Sequence, residues 1–294
     1  MKMGNTKIIA SEFEYFEPET IGEAVSLLEK YGRGAAVLAG GTDLLIRMKK
    51  GEMEPKCLIN VMAIKELNYI KEDGGLHIGA ATSLRKIEKS KIVAEKYSAL
   101  YEGIKSLGKV QVRNMATLAG NICNASPAAD TATPLLSLSA KVKITSSKGD
   151  RAIPLGEFFV GPGKTVLQPN ELVAEIQIPT PPKTAGSSFL KISRVSADLS
   201  KVNVAAMVER AGGICKSCKI ALGAVAPTPM SMKRAEGILN GMKFDEETVR
   251  SAARAASEDI KPITDVRSTA EYRKEVSKVL VEEALKVAWE RASG

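Results

Sequence analysis

Two short stretches of small and polar residues leave this chain few ways to fold. Val37-Leu38-Ala39-Gly40-Gly41-Thr42-Asp43-Leu44 runs a short apolar segment into a glycine pair, and Thr117 to Asp130 reads T-L-A-G-N-I-C-N-A-S-P-A-A-D. The second stretch is too polar for a strand and too broken by Gly, Asn and Pro for a helix, so it is expected to be a loop. A backbone without Cβ approaches an anion closely and can aim several N–H groups at it. Together the stretches point to two backbone-lined loops closing on a phosphate-bearing ligand. Taken singly each has a plainer reading: Gly-Gly after a strand is a tight turn, and an Asn-rich loop hydrogen-bonds its own backbone.

The bulk properties narrow the partners. With 294 residues, 44% of them apolar, the chain can bury the core of a two-domain soluble protein. The net charge of +8 is spread along the chain without a basic run, and aromatics make up only 4%. Both features argue against nucleic acid and for a solvated surface that attracts anionic ligands or an acidic partner. Four cysteines, Cys57, Cys123, Cys215 and Cys218, are too few for a disulfide framework at this length. No secretory signal and no run approaching a membrane span is evident, so a reduced, cytoplasmic location is expected.

Along the chain, Phe13 to Pro18 reads as an extended piece. Thr20 with Glu23 forms a capping box for a helix that carries Ile21, Ala24, Val25 and Leu28 on one face and stops at Gly32. Ala35 to Ala39 and Cys57 to Val61 are short buried strands. Ile64 to Ile70 and Gly75 to Gly79 read as strands around an Asp73-Gly74-Gly75 turn. One long helix is expected from Ile92, with Val93, Tyr97, Leu100, Ile104 and Leu107 on its inner stripe. Strands follow at Lys141 to Thr145, Ala152-Ile153 and Glu171 to Pro179, then a linker over Thr180 to Ser188. Phe189 to Ile192, Val202 to Glu209 and Cys218 to Val225 predict a three-stranded antiparallel sheet, and the last seventy residues or so are helical.

Neither G-x-G-x-x-G after the first strand nor G-x-x-x-x-G-K-[ST] is present, so a nucleotide would need another architecture. In order along the chain, A-G-G-T-D-L-L, T-L-A-G-N-I-C-N-A-S-P-A-A-D and Glu171-Leu172-Val173-Ala174-Glu175-Ile176-Gln177-Ile178-Pro179 closely resemble the FAD-binding medium subunits of molybdenum hydroxylases. So do Phe189-Leu190-Lys191, Asp198 to Asn203, Gly223 to Pro229 and Ser268 to Arg273, and the resemblance spans essentially the whole chain.

That resemblance implies an α+β protein: a two-lobed FAD-binding domain of the vanillyl-alcohol-oxidase type over residues 1–180, then a C-terminal α+β domain over 181–294. The lobes would divide at about residue 61. It implies that FAD contacts Val37, Leu38, Ala39, Gly40, Gly41, Thr42, Asp43 and Leu44, then Thr117, Leu118, Ala119, Gly120 and Asn121, and further Leu107, Asp130, Val173 and Lys191. A lysine near the flavin N1/O2 edge would raise the flavin potential. The implied partners are a small iron–sulfur subunit, a large molybdopterin subunit and an acceptor such as NAD or a quinone, in a heterotrimer or its dimer. Two departures stand out: Ala119 occupies a position where the family often has Gly, and the four-cysteine insertion of some relatives is missing.

No catalytic acid–base cluster and no metal set is evident. Cys215-Lys216-Ser217-Cys218 has redox or zinc spacing but neither a second pair nor a histidine near it, and is expected in a hairpin. His77, the only histidine, reads as structural. Arg113 and Asn114 could face a cofactor phosphate or a partner. A self-contained flavin oxidase or dehydrogenase acting on its own small substrate is the alternative, and it would need a base that no residue here supplies.

Overall fold

The computed structural model describes residue 9 and residues 11–293; the first eight positions of the expected first lobe, residue 10, and the last residue of the expected C-terminal domain lie outside the described residues. The chain opens with β1 (Glu14–Phe16), α1 (Ile21–Tyr31), β2 (Ala35–Leu38), α2 (Leu44–Lys49) and β3 (Cys57–Asn60), and the three strands pair in parallel in the order β1-β3-β2. Thr20 caps α1 by accepting from the Glu23 N–H, while the Glu23 carboxylate reaches back to the Glu19 N–H. Parallel strands need a crossover, and α2 supplies the one that starts at the glycine pair.

The second part departs from expectation at once. Instead of a strand from Ile64 to Ile70 there are 3₁₀ turns at Val61–Ala63 and Lys65–Leu67. Asn60 starts them by accepting from the Met62 N–H, and burying Ile64 and Leu67, three residues apart, suits a three-residue turn better than a strand. Then come β4 (Ile70–Glu72), β5 (Gly75–Gly79), α3 (Leu84–Glu88), α4 (Lys91–Lys96), α5 (Ser98–Ser106), α6 (Val110–Met115), α7 (Leu118–Cys123), α8 (Ala132–Ser137), β6 (Lys141–Ser146), β7 (Gly149–Pro154), β8 (Phe159–Gly161), β9 (Lys164–Thr165) and β10 (Leu172–Pro179). Five of these strands form an antiparallel sheet, β4-β5-β10-β6-β7, whose inner side chains join the helices in one core. The single helix expected from Ile92 is two, broken at Tyr97, which leaves helical geometry while staying fully buried. The inner stripe survives the break because Val93, Leu100 and Ile104 remain in the core.

Thr117 to Asp130 is likewise not loop throughout. Leu118–Cys123 forms a helix because Thr117 caps it and Leu118, Ala119 and Ile122 find a core to enter. Burial of that face outweighs the poor helix propensity of Gly120 and Asn121.

The remainder is β11 (Ala185–Ile192), β12 (Val202–Ala211), β13 (Ile214–Gly223), β14 (Met230–Ser231), α9 (Lys233–Leu239), β15 (Met242–Lys243), α10 (Glu246–Asp259) and α11 (Ala270–Arg291). The strands run antiparallel in the order β11-β12-β13-β14, with β15 on the end of β13, so two short strands extend the expected three. The linker is shorter than its composition suggests. β11 starts at Ala185 because Gly186 lets the strand lie against α11, where a Cβ would come within 2.2 Å of the Ala288 carbonyl oxygen. Ser188 is then buried and donates to the Ala284 carbonyl at 2.7 Å.

Cys215 and Cys218 lie on β13 itself. The register slips by one residue opposite Glu209 and Arg210, which turns both thiols to the buried side although they are three positions apart. They are free, and no group of three metal-binding side chains occurs among the described residues.

Candidate functional site

At the end of β2 the first glycine turn meets the second lobe. A Cβ on Gly40 would lie 1.9 Å from the Met115 carbonyl oxygen and 2.8 Å from the Ala116 nitrogen, so only glycine brings these backbones so close. Gly41 follows with φ of +68°, and its carbonyl accepts from the Leu45 N–H to open α2. The N–H groups of Gly40, Gly41, Thr42 and Asp43 donate to no acceptor among the described residues. Val37, Leu38, Ala39 and Leu44 are half-buried, and Asp43 is exposed and makes no capping bond to α2.

The second stretch begins where Gly40 touches. Ala116 accepts from the Leu84 N–H, and Thr117 forms a bridge to Ser83. The Thr117 hydroxyl accepts from the Gly120 N–H at 3.0 Å. That leaves the N–H of Ala119, a buried residue, without an acceptor among the described residues. Buried donors without partners are uncommon in folded proteins, and this one lies in the segment that Gly40 touches, next to a run of free donors. Asn121 turns inward, and its side-chain oxygen accepts from the Thr131 hydroxyl at 2.6 Å. Ala119 carries its Cβ into the core, so this position is helical and has no need of glycine.

Asp130 and Lys191 come together, but with each other. Lys191 Nζ donates to Asp130 Oδ2 at 2.8 Å, to the Ser106 carbonyl at 2.8 Å and to the Asp198 carbonyl at 3.2 Å, which uses all three ammonium protons. Asp130 also accepts from the Ser200 hydroxyl at 2.5 Å and the Asn203 amide at 3.3 Å. Burial pushes the Asp130 carboxyl upward, against the pull of Lys191, Ser200 and Asn203. Asn203 has room because Gly223 across the ladder has no Cβ, which would fall 2.4 Å from its side-chain oxygen. Ser200 and Asn203 were not among the expected contacts, although the Asp198 to Asn203 motif that carries them was visible in the sequence.

The last two expected contacts are placed separately. Val173 is buried on β10 beside a bulge at Ala174, whose carbonyl accepts from the Ala80 N–H. Leu107 is half-buried just past α5, and its carbonyl accepts from Arg113 at 3.0 Å. Arg113 itself is buried and turned inward, while Asn114 is exposed.

A small parallel sheet, a larger antiparallel one, donor-rich turns joined at the Gly40 contact and a sheet-and-helix domain beyond define a two-lobed flavin-binding architecture. Residues 11–181 match the family described as the FAD binding domain in molybdopterin dehydrogenase, and residues 187–288 match the CO dehydrogenase flavoprotein C-terminal domain. The carbon monoxide dehydrogenase medium chain of Hydrogenophaga pseudoflava is 33% identical over 97% of this chain and 100% of its own. A putative xanthine dehydrogenase FAD-binding subunit of Escherichia coli is 31% identical over 95% of this chain and 97% of its own. Among solved structures, a carbon monoxide dehydrogenase from Hydrogenophaga pseudoflava superposes with a TM-score of 0.95 at 34% identity, covering 97% of this chain and all of that one. The chain belongs to the family of FAD-binding medium subunits of molybdenum hydroxylases. Its relatives are dehydrogenases, and no helix among the described residues is long and apolar enough to cross a membrane.

Proposed function

We propose that this chain holds FAD between the Val37–Leu44 turn and the start of α7, and carries electrons from a small iron–sulfur subunit to an external acceptor such as NAD or a quinone. The hydroxylation belongs to a large molybdopterin subunit of the same complex. One observation carries the reading: free backbone N–H groups, on Gly40 to Asp43 and on Ala119, belong to segments held together by the Gly40 contact. A diphosphate is the part of FAD that such donors suit, because each N–H gains a charge-assisted bond without a side chain having to be ordered.

FAD supplies the ability to take electrons one at a time and to give them up in pairs. The protein's share is placement. The backbone of the two segments binds the phosphates, while Leu107 and Val173 contribute apolar surface for the ring. The Asp130–Lys191 pair joins β11 of the C-terminal sheet to the segment between α7 and α8.

The test is a visible spectrum of the purified chain before and after reconstitution with FAD. Flavin absorption at one equivalent per chain is the expected result. A chain that stays colourless with excess FAD would sink the reading.

A further inference from the structure

Helix α6 is built inside out. Its apolar residues Val110, Val112 and Met115 are 41%, 38% and 56% exposed, and Arg113 is its one buried residue. Burying a guanidinium costs several kcal/mol unless it is paired and fully hydrogen-bonded, so something must hold it there. Glu88 on α3 does: Arg113 Nε donates to Glu88 Oε2 at 2.9 Å and NH2 to Oε1 at 3.3 Å. Burial works to raise the Glu88 carboxyl, yet Arg113 and Arg85 hold it below its ordinary value. The remaining nitrogen, NH1, donates to both the Leu107 and the Gly108 carbonyls at 3.0 Å. Gly108, at φ of +52°, makes the turn that brings these two oxygens to one donor.

The carbonyl just before them belongs to Ser106 and is taken by Lys191. Three successive carbonyls are therefore gripped by two buried cations, each with its own buried carboxylate, one from α6 and the other from β11. At its far end α6 supplies Met115, whose carbonyl seats Gly40. Arg113 thus fixes the Leu107 segment and anchors the helix on which the first turn rests.

We propose that Arg113, held by Glu88, is a positioning residue for the flavin, acting through the Ser106-Leu107-Gly108 backbone and the Gly40 seat. This rests on the reading of the two turns as an FAD site. The test uses the full chain reconstituted with FAD and compares Arg113→Met, Arg113→Lys and Arg85→Met. Arg85 shares Glu88 but contacts neither carbonyl, so its variant reports the cost of merely weakening the ion pair. Three quantities are read: FAD affinity by fluorescence titration, the visible circular dichroism of the bound flavin, and the melting temperature.

Arg113→Met should bind FAD about tenfold more weakly, the size of one lost charge-assisted hydrogen bond, with an altered flavin dichroism. Arg113→Lys keeps the charge but not the fork that spans both carbonyls, and should fall between; it carries the test if the Met variant fails to fold. Arg85→Met should lower the melting temperature and leave both flavin readouts alone. Wild-type affinity and dichroism in both Arg113 variants would overturn the proposal alone. Failure of the wild-type chain to take up FAD would overturn the site reading and this proposal with it.

Discussion

The two places where polar groups crowd this structure behave in opposite ways. Around Gly40 and Ala119 the donors are backbone N–H groups with no acceptor among the described residues. Around Asp130 the carboxylate and the Lys191 ammonium are saturated by each other, by Ser200 and Asn203, and by two carbonyls. Free, preorganised donors mark where a ligand goes, and a completed network marks where the protein holds itself together. The comparison reassigns weight within the family pattern. Asp130 and Lys191 act as a fastening between the FAD-binding and C-terminal domains.

The largest effect should come from breaking the completed network. Asp130→Ala leaves the Lys191 ammonium buried without its counter-charge and should cost about 3–5 kcal/mol in a denaturant melt; a melt close to wild type would show that the network is dispensable. Next comes the open region. Gly40→Ala forces the two backbones apart and should cost about 3 kcal/mol, near the upper end of the overpacking range. In isothermal titration its FAD affinity should fall roughly a hundredfold, because more than one N–H bond is lost. Unchanged affinity would mean that the turns do not grip the cofactor. The smallest effect is expected at Ala119→Gly, about 1 kcal/mol of lost stability from helix propensity alone. A gain in FAD affinity there would show that the family's glycine serves close approach after all.

Much of this was legible in the chain, for identifiable reasons. The glycine turn after β2 and the strands β10, β12 and β13 were visible because alternation and turn chemistry are local signals. The helix at Leu118–Cys123 was not, since its only local cue is the Thr117 cap, and the core that Leu118, Ala119 and Ile122 enter decides the rest. Arg113 was left open between ligand and partner, because a charge on a short helix with three apolar neighbours reads as a surface residue. Burial of Arg113 against Glu88 and the Leu107 and Gly108 carbonyls reveals that the helix is inverted. The hairpin carrying Cys215 and Cys218 was legible, but the one-residue slip in its ladder that turns both thiols into core was not. Lys191 and Asp130 lie 61 residues apart, and nothing local announces that they would choose each other.

Gly40 is the tightest of several glycines that meet main-chain atoms, closer even than Gly186 is to the Ala288 carbonyl oxygen. The atom 1.9 Å from its missing Cβ is a main-chain oxygen, a group every amino acid brings to that place. A collision with a side chain can be relieved by shrinking the neighbour, but no exchange at Met115 removes its carbonyl. For anyone recoding this protein, position 40 therefore has no second-site suppressor at its point of contact. It can be rescued only by moving a helix.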